Sequence, residues 1–568
     1  MLKRQPSIIR PSMKVGREVC LMRRMFIALT LVILWGLWSP CHAQQPSLAG
    51  EWVGGLDTGR QWLDIKVRFP EDGAAGGAID LPQYNLIDQP LVNAGVAADH
   101  VHFEWPRGER GTATFDGEFT EGGLSGRYQR GDIRSTFYLV RALKIAPTTY
   151  DKYFGNYRLG PDRFLTIGVE GDDAPRLSYV DTKTRRAGHL FPLSENEFFA
   201  GPTYEIPLPV DFRIAFVKNA RGEVTGLRWS QKGSPTVAAP KSRHRQEEIK
   251  FRNGGAELTG LLTLPGAGGP HPAIILVRPA YTFSRRGGDV PASFLREGLA
   301  VLTLTSRTVD GKSTDYTKTS FEERARDVLA CLAALRARGD IDARRIGLFG
   351  ASLSSWVAPI AAALSPDVAF MILQVPPALP VAENIVHEIE SFMRDQNLIS
   401  AGTFSEEDIV KAKALRRLLN TTILTNEGWD TLKSEMEKSK GEKWFGYARV
   451  GWLSSVQTPP DAATLKGLQD PISYNPAPTL ERLTVPVLTI NGGLDPYVET
   501  SRSLPTLALS LTKAGNKDAT IVLLPRGSHG LLESETGLES ETYRMKRHVY
   551  GYWETISDWL GRHVNTKK

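Results

Sequence analysis

Apolar and polar residues alternate with a period of two over much of the first 240 residues. Leu63, Ile65, Val67 and Phe69 show the pattern, and it recurs near residues 101–105 and 212–216, with glycine-rich turns between the segments. Successive side chains of a strand point to opposite faces, so this pattern predicts antiparallel sheets with one buried face. We therefore expect two small antiparallel β units, over residues 44–145 and 146–243. Neither holds an obvious cluster of catalytic residue types.

After about residue 245 the period changes, and short continuous apolar runs alternate with segments of helical periodicity. Eight runs are expected to form strands: 249–251, 258–264, 273–277, 299–304, 346–349, 370–375, 487–491 and 520–524. Strands with helices between most of them predict an α/β domain, here over 246–568, built on an eight-stranded, doubly wound sheet. Residues 381–475, between the sixth and seventh runs, are polar and helical. We interpret them as an insertion at the carboxyl edge of the sheet and a candidate lid.

The first 43 residues have the composition of a secretory signal. Basic residues 23–24 precede an apolar run over 26–35, and the small residues Cys41 and Ala43 follow it. We expect cleavage after Ala43, with Met25 as an alternative start of a shorter signal. The run is short for a membrane span, although an uncleaved anchor is an alternative reading. The mature chain is therefore expected in a bacterial periplasm or secreted, with no stable membrane span.

Removing this leader changes the charge and the cysteine content. The 69 basic and 63 acidic residues of the whole chain become 62 of each. The mature protein is then formally neutral, so its composition gives no reason to expect a nucleic-acid partner. Cys331 is the one cysteine left, which excludes an intrachain disulfide. Its place on an amphipathic helix favours packing over chemistry.

A tight turn with a serine at its apex follows the fifth run. Gly350-Ala351-Ser352-Leu353-Ser354 comes directly after residues 346–349, and a helix with a capping box at Ser320 precedes the strand. A nucleophile elbow needs this order, because only small residues two positions away tolerate the strained serine. Ser354 replaces the usual final glycine. The alternative reading is a serine that caps an ordinary crossover helix.

A serine nucleophile needs a base to take its proton and a carboxylate to hold that base. Asp495 follows the seventh run, and His529 lies in a glycine-containing turn after the eighth. The order Ser, Asp, His is the one that this architecture predicts. Asp470 is the alternative acid, but it belongs to the insertion and has no strand ahead of it. Three other histidines are placed elsewhere: His548 and His563 in the last helix and His271 before the third strand.

Residues 246–565 resemble secreted bacterial α/β-hydrolases of the serine esterase and aminopeptidase type. The resemblance is carried by the stretches PAIILV, SFEERARDVLACLAALRARGDIDARRIGLFGASLS, SPDVAFMILQ, VPVLTINGGLDPYV and PRGSHG, and by the opening LAGEW of a β-rich amino-terminal region. It implies that Ser352, Asp495 and His529 form the catalytic triad. It also implies hydrolysis of carboxylic esters, with short peptides or acyl-amino acids as the alternative substrates.

The loop after the third run departs from this family. The family usually has His-Gly-Ser-Gly-Pro there, whereas this chain has Arg278-Pro279-Ala280-Tyr281-Thr282. The resemblance implies an oxyanion hole made by the amide of Leu353 and one amide of this loop, with Ala280 at the matching position and Tyr281 as the alternative. Loss of one donor costs roughly 10²-fold to 10³-fold in rate. A catalytically impaired protein that binds a carbohydrate or lipid is therefore a third reading.

The remaining sequence patterns are weak evidence for a ligand or metal site. The stretch 310–314 is similar to a phosphate-binding loop, but Ser306 stands where the first glycine of that motif belongs. No spaced cluster of histidine, cysteine or carboxylate predicts a metal, and no cofactor is expected. The expected partner is a small ester or short peptide, and the sequence does not define an oligomeric state.

Overall fold

The computed structural model describes residues 47–564, apart from 58–61, 73, 82–85, 109–110, 121–122, 144, 171–174, 267, 278–287, 315–318 and 400–401. The expected leader lies outside the described residues, as do Ala280 and Tyr281 of the expected oxyanion loop. Among the helices that are described, none is long and apolar enough to cross a bilayer.

The first β unit is a closed barrel of eight antiparallel strands, in which the last strand pairs with the first. The strands are β1 (Gly50–Asp57), β2 (Trp62–Phe69), β3 (Gly76–Leu81), β4 (Leu86–Ala97), β5 (His100–Pro106), β6 (Thr112–Thr120), β7 (Gly123–Arg130) and β8 (Ile133–Arg141). The interior of such a barrel is just wide enough for side chains to fill. Here Phe103, Phe115 and Phe137 are fully buried in it, and the first two rings stack at 4.5 Å.

The second β unit is an antiparallel sheet of eight strands in chain order. The strands are β9 (Gly155–Gly160), β10 (Arg163–Glu170), β11 (Arg176–Asp181), β12 (Ala187–Pro192), β13 (Glu197–Ala200), β14 (Phe212–Lys218), β15 (Val224–Gln231) and β16 (Val237–Pro240). A bridge between Tyr157 and Lys241 brings its two edges together, so this sheet is nearly closed as well. Tyr153 and Phe216 stack at 4.0 Å in its core.

The third sheet carries the eight runs expected to be strands. It contains β17 (His244–Asn253), β18 (Ala256–Pro265), β19 (His271–Leu276), β20 (Ala300–Val309), β21 (Lys312–Ser313), β22 (Ile341–Ala351), β23 (Phe370–Gln374), β24 (Val487–Gly492) and β25 (Ala519–Leu524). Their order is β17-β18-β20-β19-β22-β23-β24-β25, with β21 beside β20. The strands from β20 to β25 along this order run parallel, so their carboxyl ends share one edge.

Helices cover the sheet and extend from its carboxyl edge. They are α1 (Val290–Arg296), α2 (Phe321–Arg336), α3 (Ser354–Leu364), α4 (Val381–Ile399), α5 (Glu406–Thr425), α6 (Trp429–Ser439), α7 (Ala462–Ile472), α8 (Ala477–Leu480), α9 (Thr500–Lys513) and α10 (Tyr552–His563), with 3₁₀ turns at Pro147–Tyr153, Phe445–Ala448, Gly451–Ser455 and Glu539–Arg544. The capping box at the start of α2 is formed, since Ser320 Oγ accepts from Glu323 N at 3.2 Å. Cys331 is buried on that helix, and burial raises the pKa of its thiol.

Three sequence expectations need correction. His548 does not lie in the last helix: it comes before α10 and bridges to Leu532. His271 begins β19 instead of preceding it, and β17 begins at His244, five residues before the expected run 249–251. For β17 and β19, strand pairing extends the element beyond its apolar run, because backbone hydrogen bonds between strands do not require apolar side chains at the strand ends.

Helices α4 to α7 form the insertion between β23 and β24 and have an apolar core of their own. Ile389, Met393, Leu419 and Leu432 are buried together in that core. All four helices lie within residues 381–475, which the sequence predicts to be helical. One face of α4 packs beside the segment after β25, where Asp395 accepts a hydrogen bond from the hydroxyl of Ser540. The insertion is thus anchored next to the turn that carries His529.

Candidate active site

Ser352 occupies a strained turn between β22 and α3. Its φ is 53°, in the left-handed region that residues with a Cβ atom rarely adopt. Two backbone hydrogen bonds hold it there: Ser352 N donates to Gln374 O at 2.9 Å, and Ser355 N donates to Ser352 O at 2.9 Å. Such strain persists only where the surroundings impose it, and it is common at functional sites.

The residues two positions to either side explain how this turn closes. A Cβ atom on Gly350 would lie 2.8 Å from the carbonyl oxygen of Ser354, so a glycine is required there. Ser354 replaces the usual second glycine, and its hydroxyl spans the turn. Ser354 Oγ donates to Ala351 O at 2.7 Å and accepts from Ala351 N at 2.8 Å. The substitution therefore adds two hydrogen bonds across the turn.

Close approach of two loops brings the acid and the base together. Asp495 follows β24 and His529 follows β25, which pair along their whole lengths. A Cβ atom on Gly492 would lie 2.5 Å from the carbonyl oxygens of Gly527 and Ser528. A glycine at the end of β24 thus allows the turn that carries His529 to pack directly against the loop of Asp495.

The three side chains form a continuous chain of hydrogen-bonding distances. His529 Nε2 lies 3.1 Å from Ser352 Oγ, and His529 Nδ1 lies 2.8 Å from Asp495 Oδ2. Asp495 Oδ1 also accepts from the backbone N–H groups of Tyr497 and Val498 at 2.8 and 2.9 Å. The Asp495 side chain is only 1% exposed, whereas that of His529 is 26% exposed. The carboxylate is thus fixed and shielded, and the imidazole and hydroxyl can reach a bound molecule.

Aromatic rings form a wall beside the imidazole. The ring of Tyr497 meets His529 edge to face at 4.9 Å, and Phe392 of α4 meets Tyr497 at 5.6 Å. Burial raises the pKa of Tyr497, and its hydroxyl donates to Glu539 at 2.9 Å. The phenol is therefore neutral and oriented. Phe392 of the insertion therefore packs against the ring that borders His529.

Glu388 is a charged group near this site that the sequence does not single out. It lies on α4, one turn before Phe392, and accepts from Arg449 Nη1 at 3.2 Å. Burial raises the pKa of Glu388, and the charges of Arg449 and His529 act against that rise. The guanidinium of Arg449 also lies 4.4 Å above the ring of Phe392. Glu388 is one of many charged residues in a polar insertion, so no sequence pattern distinguishes it.

The other candidate residues lie in different surroundings. Asp470, the alternative acid, is on α7 and pairs with Lys466 at 2.9 Å on an exposed surface. Leu353 precedes the first turn of α3, where backbone N–H groups have no partner within the helix. Ala280 and Tyr281 lie outside the described residues. Within the described part of the chain, no group of three or more histidine, cysteine or acidic residues could hold a metal ion.

The second β unit contains a cluster of titratable side chains that the sequence pattern does not reveal. His189 is buried, with Nε2 3.0 Å from Glu170 and Nδ1 3.0 Å from Glu205. Burial by itself lowers the pKa of His189, but the two carboxylates outweigh it and raise the pKa to about 9. Glu170 ends β10, His189 lies on β12 and Glu205 follows β13, so the three meet only when this sheet has folded.

Comparison with known proteins gives one similar sequence and several solved structures. No family model matches the chain. It is 26% identical over 350 residues to the esterase EstD of Thermotoga maritima, a match that covers 58% of this chain and 71% of that protein. A structure of an esterase from Pyrococcus furiosus aligns at 14% identity and a TM-score of 0.34, over 57% of this chain and 91% of that chain. A Pyrococcus horikoshii acylaminoacyl peptidase aligns at 11% identity and a TM-score of 0.36, over 90% of this chain and 80% of that chain. In sequence, the chain is thus similar to an esterase.

The hydroxyl of Ser354 should matter for the turn that holds Ser352. Ser354→Ala removes two hydrogen bonds, each worth about 0.5–1.5 kcal/mol. We expect a lower melting temperature and slower reaction of Ser352 with a fluorophosphonate. Thermal unfolding and labelling rates would measure both. Ser501→Ala, at an exposed serine of α9, is the matched control, and equal effects of the two substitutions would contradict this role.

Proposed function

We propose that this protein is a serine hydrolase that cleaves carboxylic esters through an acyl-enzyme on Ser352. The observation that carries the proposal is the chain of contacts from Ser352 Oγ to His529 Nε2 at 3.1 Å and from His529 Nδ1 to Asp495 Oδ2 at 2.8 Å. The similarity to an esterase from Thermotoga maritima supports the same reaction class. No cofactor or metal is part of the proposed reaction.

The first half of the reaction forms the acyl-enzyme. His529 Nε2 takes the proton of Ser352 as Oγ bonds to the ester carbonyl carbon, and the carbonyl π electrons move onto oxygen. The tetrahedral species collapses when His529 gives that proton to the alkoxy oxygen and the carbon–oxygen bond breaks. The alcohol leaves, and the acyl group remains on Ser352.

Hydrolysis of the acyl-enzyme by water completes the cycle, with His529 again as the base. His529 takes a proton from a water molecule whose oxygen attacks the acyl carbon, and then returns it to Ser352 Oγ as the acid leaves. Asp495 holds the imidazole so that Nε2 faces the hydroxyl, and it stabilises the imidazolium formed in each half. Its nearly complete burial and two backbone donors suit that role.

An oxyanion develops on the carbonyl oxygen in both halves. We assign one donor to the N–H of Leu353, which comes directly after the nucleophile. The second is assigned to the loop after β19, at Ala280, with the amide or hydroxyl of Tyr281 as the alternative. Pro279 has no N–H, so it contributes no donor there.

The insertion is assigned the role of a lid over the acyl group. Phe392 and Tyr497 give the site an aromatic wall, and Ala351 and Leu353 flank the nucleophile. Apolar surroundings favour a small or medium acyl chain over a charged one. Because Phe392 belongs to α4, displacement of the insertion would open this wall.

The remaining assignments follow from the sequence. Residues 1–43 are proposed to be a signal that directs the chain to the periplasm or the exterior of a bacterium. The mature protein would then contain β units over 44–145 and 146–243 and the hydrolase unit over 246–568. The presence of three separate sheets, namely the barrel, the nearly closed sheet and the α/β sheet, supports this division.

Ester hydrolysis should depend on Ser352, His529 and Asp495. Purified residues 44–568 should hydrolyse p-nitrophenyl acetate or butyrate, and Ser352→Ala should lower kcat by roughly 10³-fold or more, because the nucleophile is removed. Asp495→Asn should lower kcat by roughly 10⁴-fold, since it leaves the geometry but favours the wrong tautomer of His529. Release of p-nitrophenolate is the measurement.

Asp470→Asn provides the matched control, since it changes a carboxylate of the same chain that lies on an exposed surface of α7. It should retain the parent rate. Equal rates for the parent and Ser352→Ala would refute the proposal. A parent protein that binds esters without cleaving them would instead favour a binding protein with an impaired hydrolase unit.

A second candidate function is release of amino-terminal residues from short peptides. The specific observation that favours it is Glu388, a partly buried carboxylate on the wall that α4 contributes near His529. A carboxylate in such a place can bind the ammonium group of a substrate. Its ion pair with Arg449 opposes this use, because the charge of Glu388 is already compensated.

Glu388→Gln separates the two functions. For an ester hydrolase, the KM for p-nitrophenyl butyrate should change less than about threefold, because no substrate charge meets Glu388. For a peptidase, kcat/KM for an aminoacyl-p-nitroanilide should fall roughly 10-fold or more, because an ammonium loses its partner. We expect the first result. A selective loss of nitroanilide hydrolysis would contradict it.

A further inference from the structure

A cavity of about 810 Å³ lies beside the segment that follows His529. Its walls come from three places: the turn between β11 and β12 of the second β unit, the end of α4, and residues 526–547. Five basic side chains line it: Arg185, Arg526, Arg544, Lys546 and Arg547. None of Ser352, Asp495 and His529 does, so this cavity is separate from the candidate active site.

The acidic residues of the cavity do not balance these charges. Glu541 accepts hydrogen bonds from Ser534 and from the backbone of residues 535–537, and these donors lower its pKa against the effect of burial. Glu533 lies 3.7 Å from Arg547. Glu535 is exposed and is the one remaining carboxylate among the lining residues. The positive charge of the wall therefore exceeds its negative charge.

Three of the basic side chains have nothing in the described part of the chain to neutralise them. Arg526, Arg544 and Lys546 make no ion pair or side-chain hydrogen bond with any described residue, and all three are exposed. Like charges held together destabilise a fold slightly unless an anion joins them. Three positively charged side chains without an ionic partner among the residues that the structure describes thus line one cavity, which is the arrangement that an anion-binding site requires.

Among the basic residues that line the cavity, Arg185 is held in place by contacts within the protein. Its Nη1 donates to His548 O at 3.0 Å, and its own carbonyl accepts from His548 N at 2.9 Å. The guanidinium also lies 5.4 Å from the ring centroid of Tyr550. One cation is thus ordered before any ligand arrives, which lowers the entropy cost of binding.

We propose that this cavity binds a small molecule with two or more anionic groups, either phosphates or carboxylates. Arginine guanidinium groups match both, because each offers parallel N–H donors to a pair of oxygens. A single anionic group would engage one or two of the five cations, whereas the cavity has room for a ligand that spans several. Such a ligand would join the second β unit to the hydrolase unit, since Arg185 belongs to one and Arg526 to the other.

The site is independent of the proposed ester hydrolysis, so binding is tested in a protein that cannot turn over substrate. Full-length mature protein with Ser352→Ala is titrated by calorimetry with tripolyphosphate and, separately, with tricarballylate, at fixed ionic strength. The same titrations are run after Arg526→Ser with Arg544→Ser, and after Lys546→Ser alone. These side chains are exposed, so the fold should be retained, and the melting temperature of each variant checks this.

The matched control removes two exposed cations elsewhere, by Arg344→Ser with Lys440→Ser, where the side chains are 91% and 70% exposed. This control has the same net charge as the double variant at the cavity. We expect one ligand per chain, with affinity lowered roughly 10-fold or more by the double variant at the cavity and left within twofold by the control. The anion that binds identifies the group recognised. Absence of saturable binding for both anions, or equal losses in both double variants, would overturn the proposal.

Discussion

The candidate site depends on one constraint, the left-handed backbone of Ser352 at the end of β22. That conformation places the hydroxyl within hydrogen-bonding distance of His529, and it requires glycine at position 350. The strands β22, β23, β24 and β25 are parallel and adjacent in this order. Their arrangement brings the loops of Ser352, Asp495 and His529 to one edge of the sheet. Strain at Ser352 is offset by hydrogen bonds from both sides of the turn, including those of Ser354.

Much of this edge could be predicted from the sequence. Strands buried on both faces appear as continuous apolar runs, and the residue after such a run lies at the carboxyl edge of the sheet. Ser352, Asp495 and His529 each follow a run, so all three lie at the same edge once the runs are parallel strands of one sheet. The turn at Ser354 was less predictable, because its hydroxyl completes the turn only in the folded geometry.

Contacts between distant segments could not be predicted in the same way. Glu388 and Arg449 are 61 positions apart in a polar insertion, and nothing in their spacing distinguishes them from solvated charges. The pairing of His189 with Glu170 and Glu205 depends on how β10, β12 and the segment after β13 come together in the folded second unit. Closure of the barrel likewise requires β1 to pair with β8, with Trp52 opposite Arg141. Periodicity identifies a strand and its buried face but not its partner.

The most direct test of the central claim is the site of covalent labelling in the folded protein. After reaction with a fluorophosphonate, digestion and mass spectrometry should locate one adduct, on the peptide that contains Ser352. The substitution His529→Ala should abolish this adduct, because the hydroxyl reacts only when a base activates it. A protein that hydrolyses esters yet carries the adduct on another residue, or labels equally well without His529, would contradict the account.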